Sequence, residues 1–87
     1  MSFDPHLGYE KHPQVSIRRE EFGGLAYHYG NRRLVFLRSP ALAGLVEALA
    51  DFPDAEHALA SSVPDRSRTS YEEALASLLS SEVIRVR

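Results

Sequence analysis

Nine consecutive residues, Arg32-Arg33-Leu34-Val35-Phe36-Leu37-Arg38-Ser39-Pro40, set the terms on which this chain can fold. An apolar, β-favouring run passes without a spacer into a helix start. Ser39 is a good N-cap, and Pro40 stands at the first helical position, where its missing N–H does no harm. Gly30-Asn31 just before the run is a two-residue hairpin signal, which makes the run the second arm of a hairpin. Beyond Pro40 the chain is helical in pattern almost to its end. The strand is therefore expected at the edge of its sheet, with a row of backbone N–H and C=O groups open to any extended chain that arrives.

Upstream, Gln14 to Arg19 alternates, with Val15 and Ile17 on one side and Gln14, Ser16 and Arg18 on the other. That pattern predicts a half-buried strand. Phe22 to Tyr29 is the next strand, and Gly23-Gly24 near its start suggests a bulge or a close backbone approach. A Gly30-Asn31 turn sets Tyr29 opposite Arg32, Tyr27 opposite Leu34 and Leu25 opposite Phe36. His28 and Arg33, Ala26 and Val35, and Gly24 and Leu37 share the other face. The first face carries the larger apolar groups, so it is the one expected to meet the helices.

Leu42, Leu45, Val46 and Leu49 recur at i, i+3, i+4 and i+7, the stripe of an amphipathic helix. Pro53 ends it, and Asp54 caps a shorter helix from Ala55 to about Ser61. Ser61 to Thr69 is polar, carries Pro64 and is expected to be a loop. Ser70 with Glu73 forms a capping box, and Thr69 with Glu72 would serve one residue earlier. Tyr71, Ala74, Leu75, Leu78 and Leu79 then form the stripe of a third helix. Val83 to Arg87 is short and β-prone, able to add a small strand or simply pack down. Residues 1–13, with Asp4-Pro5 and His12-Pro13, are expected to be a flexible segment ahead of a single domain, 14–87. Three strands and then three helices give an α+β fold: a three-stranded antiparallel sheet with the helices on one face, winged-helix-like.

Eighty-seven residues hold one small core, burying roughly 60–65% of the unfolded surface. The chain has no cysteine, so neither disulfide nor thiolate site is available. A net charge of −2 argues against a strong electrostatic grip on nucleic acid. No apolar run approaches the ~18–20 residues of a membrane span, and Met1 to His6 has no signal-peptide character. A cytoplasmic protein without membrane attachment is expected. His6, His12, His28 and His57 lack metal-ligand spacing. Glu20-Glu21 has no basic or nucleophilic partner, the serines lie in no G-x-S-x-G setting, and Gly23-Gly24 lacks the rest of a phosphate-binding loop. No catalytic constellation and no cofactor site is expected.

His12-Pro13-Gln14-Val15, the Phe22-Gly23-Gly24-Leu25-Ala26-Tyr27 segment, and Asn31-Arg32-Arg33-Leu34 leading to Phe36-Leu37-Arg38-Ser39-Pro40 together resemble the mycofactocin-biosynthesis peptide chaperones, a branch of the PqqD-like precursor-peptide recognition elements. The resemblance spans nearly the whole chain and is most specific from residue 12 to 50. It implies a non-catalytic chaperone that holds the leader of a ribosomally made precursor peptide and presents it to a radical S-adenosylmethionine maturase. It also implies that the leader lies as an added strand along the third strand, in a cleft walled by the third helix. That places peptide-binding residues at Arg32, Arg33, Leu34, Val35, Phe36, Leu37 and Arg38, and at Tyr71, Leu75 and Leu79. Acidic leaders in the family would suit the arginines. The competing expectation is a winged-helix DNA-binding protein, with the third helix reading the groove. Glu72, Glu73 and Glu82, with no arginine or lysine between Ser70 and Glu82, make it a poor one.

Overall fold

The computed structural model describes residues 3–87, so Met1 and Ser2 of the expected flexible segment lie outside it. In chain order the elements are β1 (Tyr9–Lys11), β2 (Val15–Glu20), β3 (Gly23–His28), β4 (Leu34–Leu37), α1 (Pro40–Ala48), α2 (Ala55–Ser62), α3 (Arg68–Ser80) and β5 (Ile84–Val86). One 3-10 turn, Leu49–Asp51, extends α1, and another, Asp65–Ser67, leads into α3. The fold is α+β. β2, β3 and β4 form an antiparallel sheet in that order, and β1 pairs antiparallel with β5 in a second, two-stranded sheet.

The β3–β4 register is the expected one: Gly24 faces Leu37, Leu25 Phe36, Ala26 Val35 and Tyr27 Leu34. The turn is longer than two residues, however. The His28 N–H donates to Arg33 O at 3.0 Å, and the Arg32 N–H donates back to His28 O at 2.7 Å. Four residues thus bridge the strands, with Arg32 in the left-handed region at φ 61°.

The buried face of the sheet is the opposite of the expected one. Ala26, His28, Leu37 and Val15 are buried, while Leu34, Phe36 and Tyr29 are exposed. Size points the wrong way because α1 lies close to the sheet. The Cα of Gly24 faces Ala43 so nearly that an added Cβ would stand 3.5 Å from the alanine Cβ. Small residues admit the helix, and its own leucines then fill the core.

Ser39 caps α1 through its hydroxyl, which accepts from the Leu42 N–H at 3.1 Å. Asp54 caps α2 in the same way, accepting from the His57 N–H at 2.8 Å. That hydrogen bond is the main cause holding the Asp54 carboxyl below its ordinary value. The expected capping box is absent: α3 begins at Arg68, after Ser67, and no side chain caps it. The 3-10 turn before it supplies the entry, and Arg68 pairs along the helix with Glu72 at 3.0 Å. Within the segment expected to be loose, Tyr9 is buried, stacks on Phe3 at 5.0 Å and accepts the Asp4 N–H through its hydroxyl.

Candidate functional site

β4 pairs with β3 alone, and the C-terminal strand is spent on β1 rather than on the open side of β4. Hydrogen-bonded pairs alternate in an antiparallel ladder. Because His28 bonds Arg33, the pairs Ala26–Val35 and Gly24–Leu37 are bonded too, and Leu34 and Phe36 turn their N–H and C=O groups away from β3. Among the described residues no backbone group takes up these groups.

Alongside this edge runs α3, antiparallel to β4. At one end the Arg38 guanidinium donates to the Ser70 hydroxyl at 3.0 Å and to its carbonyl at 3.3 Å. At the other the Asn31 side-chain amide donates to the Glu82 carboxylate at 3.1 Å. Between these ties lies a groove of about 250 Å³. Val35, Phe36 and Arg38 line it from the strand, and Glu73, Ala74, Ser77 and Leu78 line it from the helix, with Leu42 of α1 also in the wall.

Of the residues expected to bind peptide, Val35, Phe36 and Arg38 border this groove. Leu34 lies on the same strand with its side chain on the outer face, and Leu37 is wholly buried. Arg32 and Arg33 are exposed at the hairpin end and form no ion pair or side-chain hydrogen bond among the described residues. Tyr71 is half-buried, its hydroxyl 3.5 Å from Ser39 Oγ. Leu75 is core. Leu79 is largely buried and borders a different groove, of about 370 Å³, with His12, Ser80, Glu82, Ile84 and Arg85.

The helix therefore presents Ala74, Ser77 and Leu78 to the groove rather than the Tyr71–Leu75–Leu79 line, a rotation of about one residue, or ~100°. Ala74 and Ser77 are small side chains that let a chain pass close to the helix, but Ser70, Ala76 and Ser80 of α3 are equally small, so size alone did not single them out in the sequence. Glu73 adds a carboxylate beside Arg38, so the groove carries both signs of charge.

The fold brings two histidines together that the sequence keeps apart. The His12 and His28 rings lie 4.4 Å apart between centroids. His28 is buried, and its Nδ1 accepts from the Gly30 and Asn31 N–H groups at 3.0 and 3.1 Å, which fixes the hairpin loop. No third metal-ligating side chain joins them, and among the described residues no cluster of three or more His, Cys, Asp or Glu could hold a metal ion. No described helix is long and apolar enough to cross a membrane.

The sequence matches the model of the Peptide chaperone MftB family over residues 8–85. It is 41% identical over 85 residues to the peptide chaperone MftB of Mycolicibacterium smegmatis, covering 97% of this chain and 83% of that one. The Mycobacterium tuberculosis protein of the same name is 41% identical over 83 residues, covering 94% and 76%. That of Mycobacterium ulcerans is 40% identical over 84 residues, covering 95% and 77%. No solved structure matches the chain significantly. Matched along nearly its whole length, with an open strand edge beside a helix-walled groove, the chain belongs to the MftB peptide chaperone family.

Proposed function

We propose that this chain is a non-catalytic peptide chaperone of mycofactocin biosynthesis. It takes the leader of a precursor peptide as an added strand on the free edge of β4 and presents it to a radical S-adenosylmethionine maturase. The observation that carries the reading is the vacant edge at Leu34 and Phe36 beside the groove to α3. Main-chain hydrogen bonds would supply register and much of the affinity, and alternate side chains of the guest would enter the groove where Val35, Leu42, Ala74 and Leu78 line it. Arg32, Arg33 and Arg38 would draw in an acidic leader and raise the encounter rate. Such work belongs in the cytoplasm, where the precursor is made.

Ordering a flexible segment costs on the order of 2–5 kcal/mol. A binary complex near micromolar, about −8 kcal/mol, is what a short docked strand should retain. Titrating isotope-labelled chain with a synthetic leader tests the reading. The amides of residues 32–38 and 73–78 should shift together; shifts confined to other surfaces would overturn the site. Duplex DNA is the weaker reading. The one basic residue of α3, Arg68, is engaged by Glu72 and Glu56, and the one charged side chain exposed on that helix is Glu73. No binding to DNA is expected at ~150 mM salt, where a protein with few phosphate contacts holds poorly.

A further inference from the structure

Over β3 and β4 the sheet face turned away from the helices is apolar where an exposed face should alternate to polar, while β2 keeps its share of that face polar with Ser16, Arg18 and Glu20. Phe22, Leu34, Tyr29 and Phe36 stand 49%, 57%, 63% and 70% exposed, and Leu25 and Tyr27 lie half-buried between them. The rings hold one another in place. Phe22 meets Phe36 edge-on at 6.2 Å, and Tyr27 meets Tyr29 edge-on at 4.9 Å. An ordered aromatic surface of this kind marks an interaction site.

We infer that this outer face is the docking surface for the enzyme that modifies the peptide, and that a bound peptide completes it. The inference rests on the strand-addition reading above. Leu34 and Phe36 belong both to this face and to the vacant edge. A guest strand on that edge extends the sheet, and alternate guest side chains then lie on the outer face beside Leu34 and Phe36. On the inner side the guest is walled by α3. An enzyme can therefore reach a docked peptide only from the edge and this outer face, so the contact surface is continuous with the peptide site.

Size favours the same occupant. The patch is on the order of a few hundred Å², below the roughly 800 Å² that each partner gives to a standard interface. Side chains of a docked strand would add to it, so the enzyme would distinguish loaded from empty chaperone by area alone. The enzyme's matching surface would be an apolar recess with hydrogen-bond acceptors for the Tyr27 and Tyr29 hydroxyls. Arg18, exposed on β2 in the same face, lies at its far margin.

Tyr27→Ser and Tyr29→Ser test this, since both residues lie outside β4 and the groove lining and their rings touch each other rather than Phe36. Each variant is checked for native amide dispersion, then measured with synthetic leader alone and with purified maturase in the presence and absence of leader. Leader affinity should stay within about twofold, while the loaded variants bind maturase about tenfold more weakly, as truncation of interface aromatics does. Wild-type chain should bind maturase more tightly loaded than empty. Maturase binding that survives both substitutions, or is indifferent to leader, would overturn the inference. So would sedimentation showing that this face joins two copies of the chain. If wild-type chain fails to bind leader at all, the strand-addition reading fails instead, and the variants with maturase alone still decide whether the face docks it.

Discussion

Gly23 and Arg32 both hold positive φ, 150° and 61°, and only one of them is a glycine. A Cβ on Gly23 would stand 2.0 Å from Leu37 O and 2.7 Å from Ser39 N, so the corner where β4 enters α1 closes directly on that residue. Gly23→Ala should therefore cost on the order of 3 kcal/mol or more, read from urea unfolding, because backbone rather than a pliable side chain must move. The close approach was legible in Gly23-Gly24. Arg32 was not: Gly30-Asn31 pointed to a tighter turn, yet His28 Nδ1 gathers the Gly30 and Asn31 N–H groups, and the loop is closed by His28 and Arg33, one residue wider on each side. Left-handed geometry costs a side chain about 1–2 kcal/mol, partly offset by the greater freedom of glycine in the unfolded chain. Arg32→Gly should thus stabilise the fold by about 0.5–1 kcal/mol. It should also slow association with an acidic leader at low salt, with the difference fading as screening rises. A variant both less stable and equally fast to bind would refute each half.

At the scale of elements, the caps, the α1 stripe and the β3–β4 register were readable because each depends on neighbours a few residues apart. The face of the sheet was not. Leu25, Tyr27 and Phe36 carry more apolar surface than Gly24 and Ala26, and pattern alone assigns the core to the larger set. Close packing of α1 through Ala43 decided it the other way. The start of α3 escapes pattern for a related reason: Ser70, a natural cap, is instead the partner of Arg38 across the groove. Ladder parity leads to a sharp contrast on β4. Val35 directs its N–H into the pair with Ala26, so Val35→Pro removes a ladder bond inside the sheet and should destabilise the domain by about 3 kcal/mol. Phe36 directs its N–H outward, where an edge tolerates proline. Phe36→Pro should stay folded and lose at least about tenfold in leader affinity relative to Phe36→Ala, since a net hydrogen bond is worth roughly 1 kcal/mol and the ring adds steric blocking. Calorimetry of the two variants side by side checks it, and equal affinities would exclude strand addition at this edge.

Over the whole molecule, the contact that sequence periodicity had least power to reveal is β1 with β5. Two three-residue strands far apart in the chain show no usable alternation, and their pairing depends on the domain being closed already. His12 stands where this clasp meets the larger sheet. Its N–H donates to Val83 O at 2.9 Å, its carbonyl accepts from the Val15 N–H, its Nδ1 accepts from the Gln14 N–H at 3.0 Å, and its ring lies against His28. Burial, with the nearby His28 and Arg85, holds its pKa below the ordinary 6.5, against the opposing pull of Glu82 and Glu10. The neutral ring is thus the form the fold selects. Between the lowered folded value and 6.5 the unfolded chain binds more protons, so stability is full above about pH 7 and is lost as pH falls through that window. A proton on Nδ1 would also abolish the bond from Gln14. The urea midpoint should therefore fall from about pH 7.5 to about pH 5.5, before carboxylates such as Asp54 begin to titrate. His12→Asn keeps an oxygen able to accept the Gln14 N–H but does not ionise, so its midpoint should vary less across the same range. A wild-type midpoint that holds level, or a variant that falls just as far, would show that the junction between the two sheets does not sense this proton.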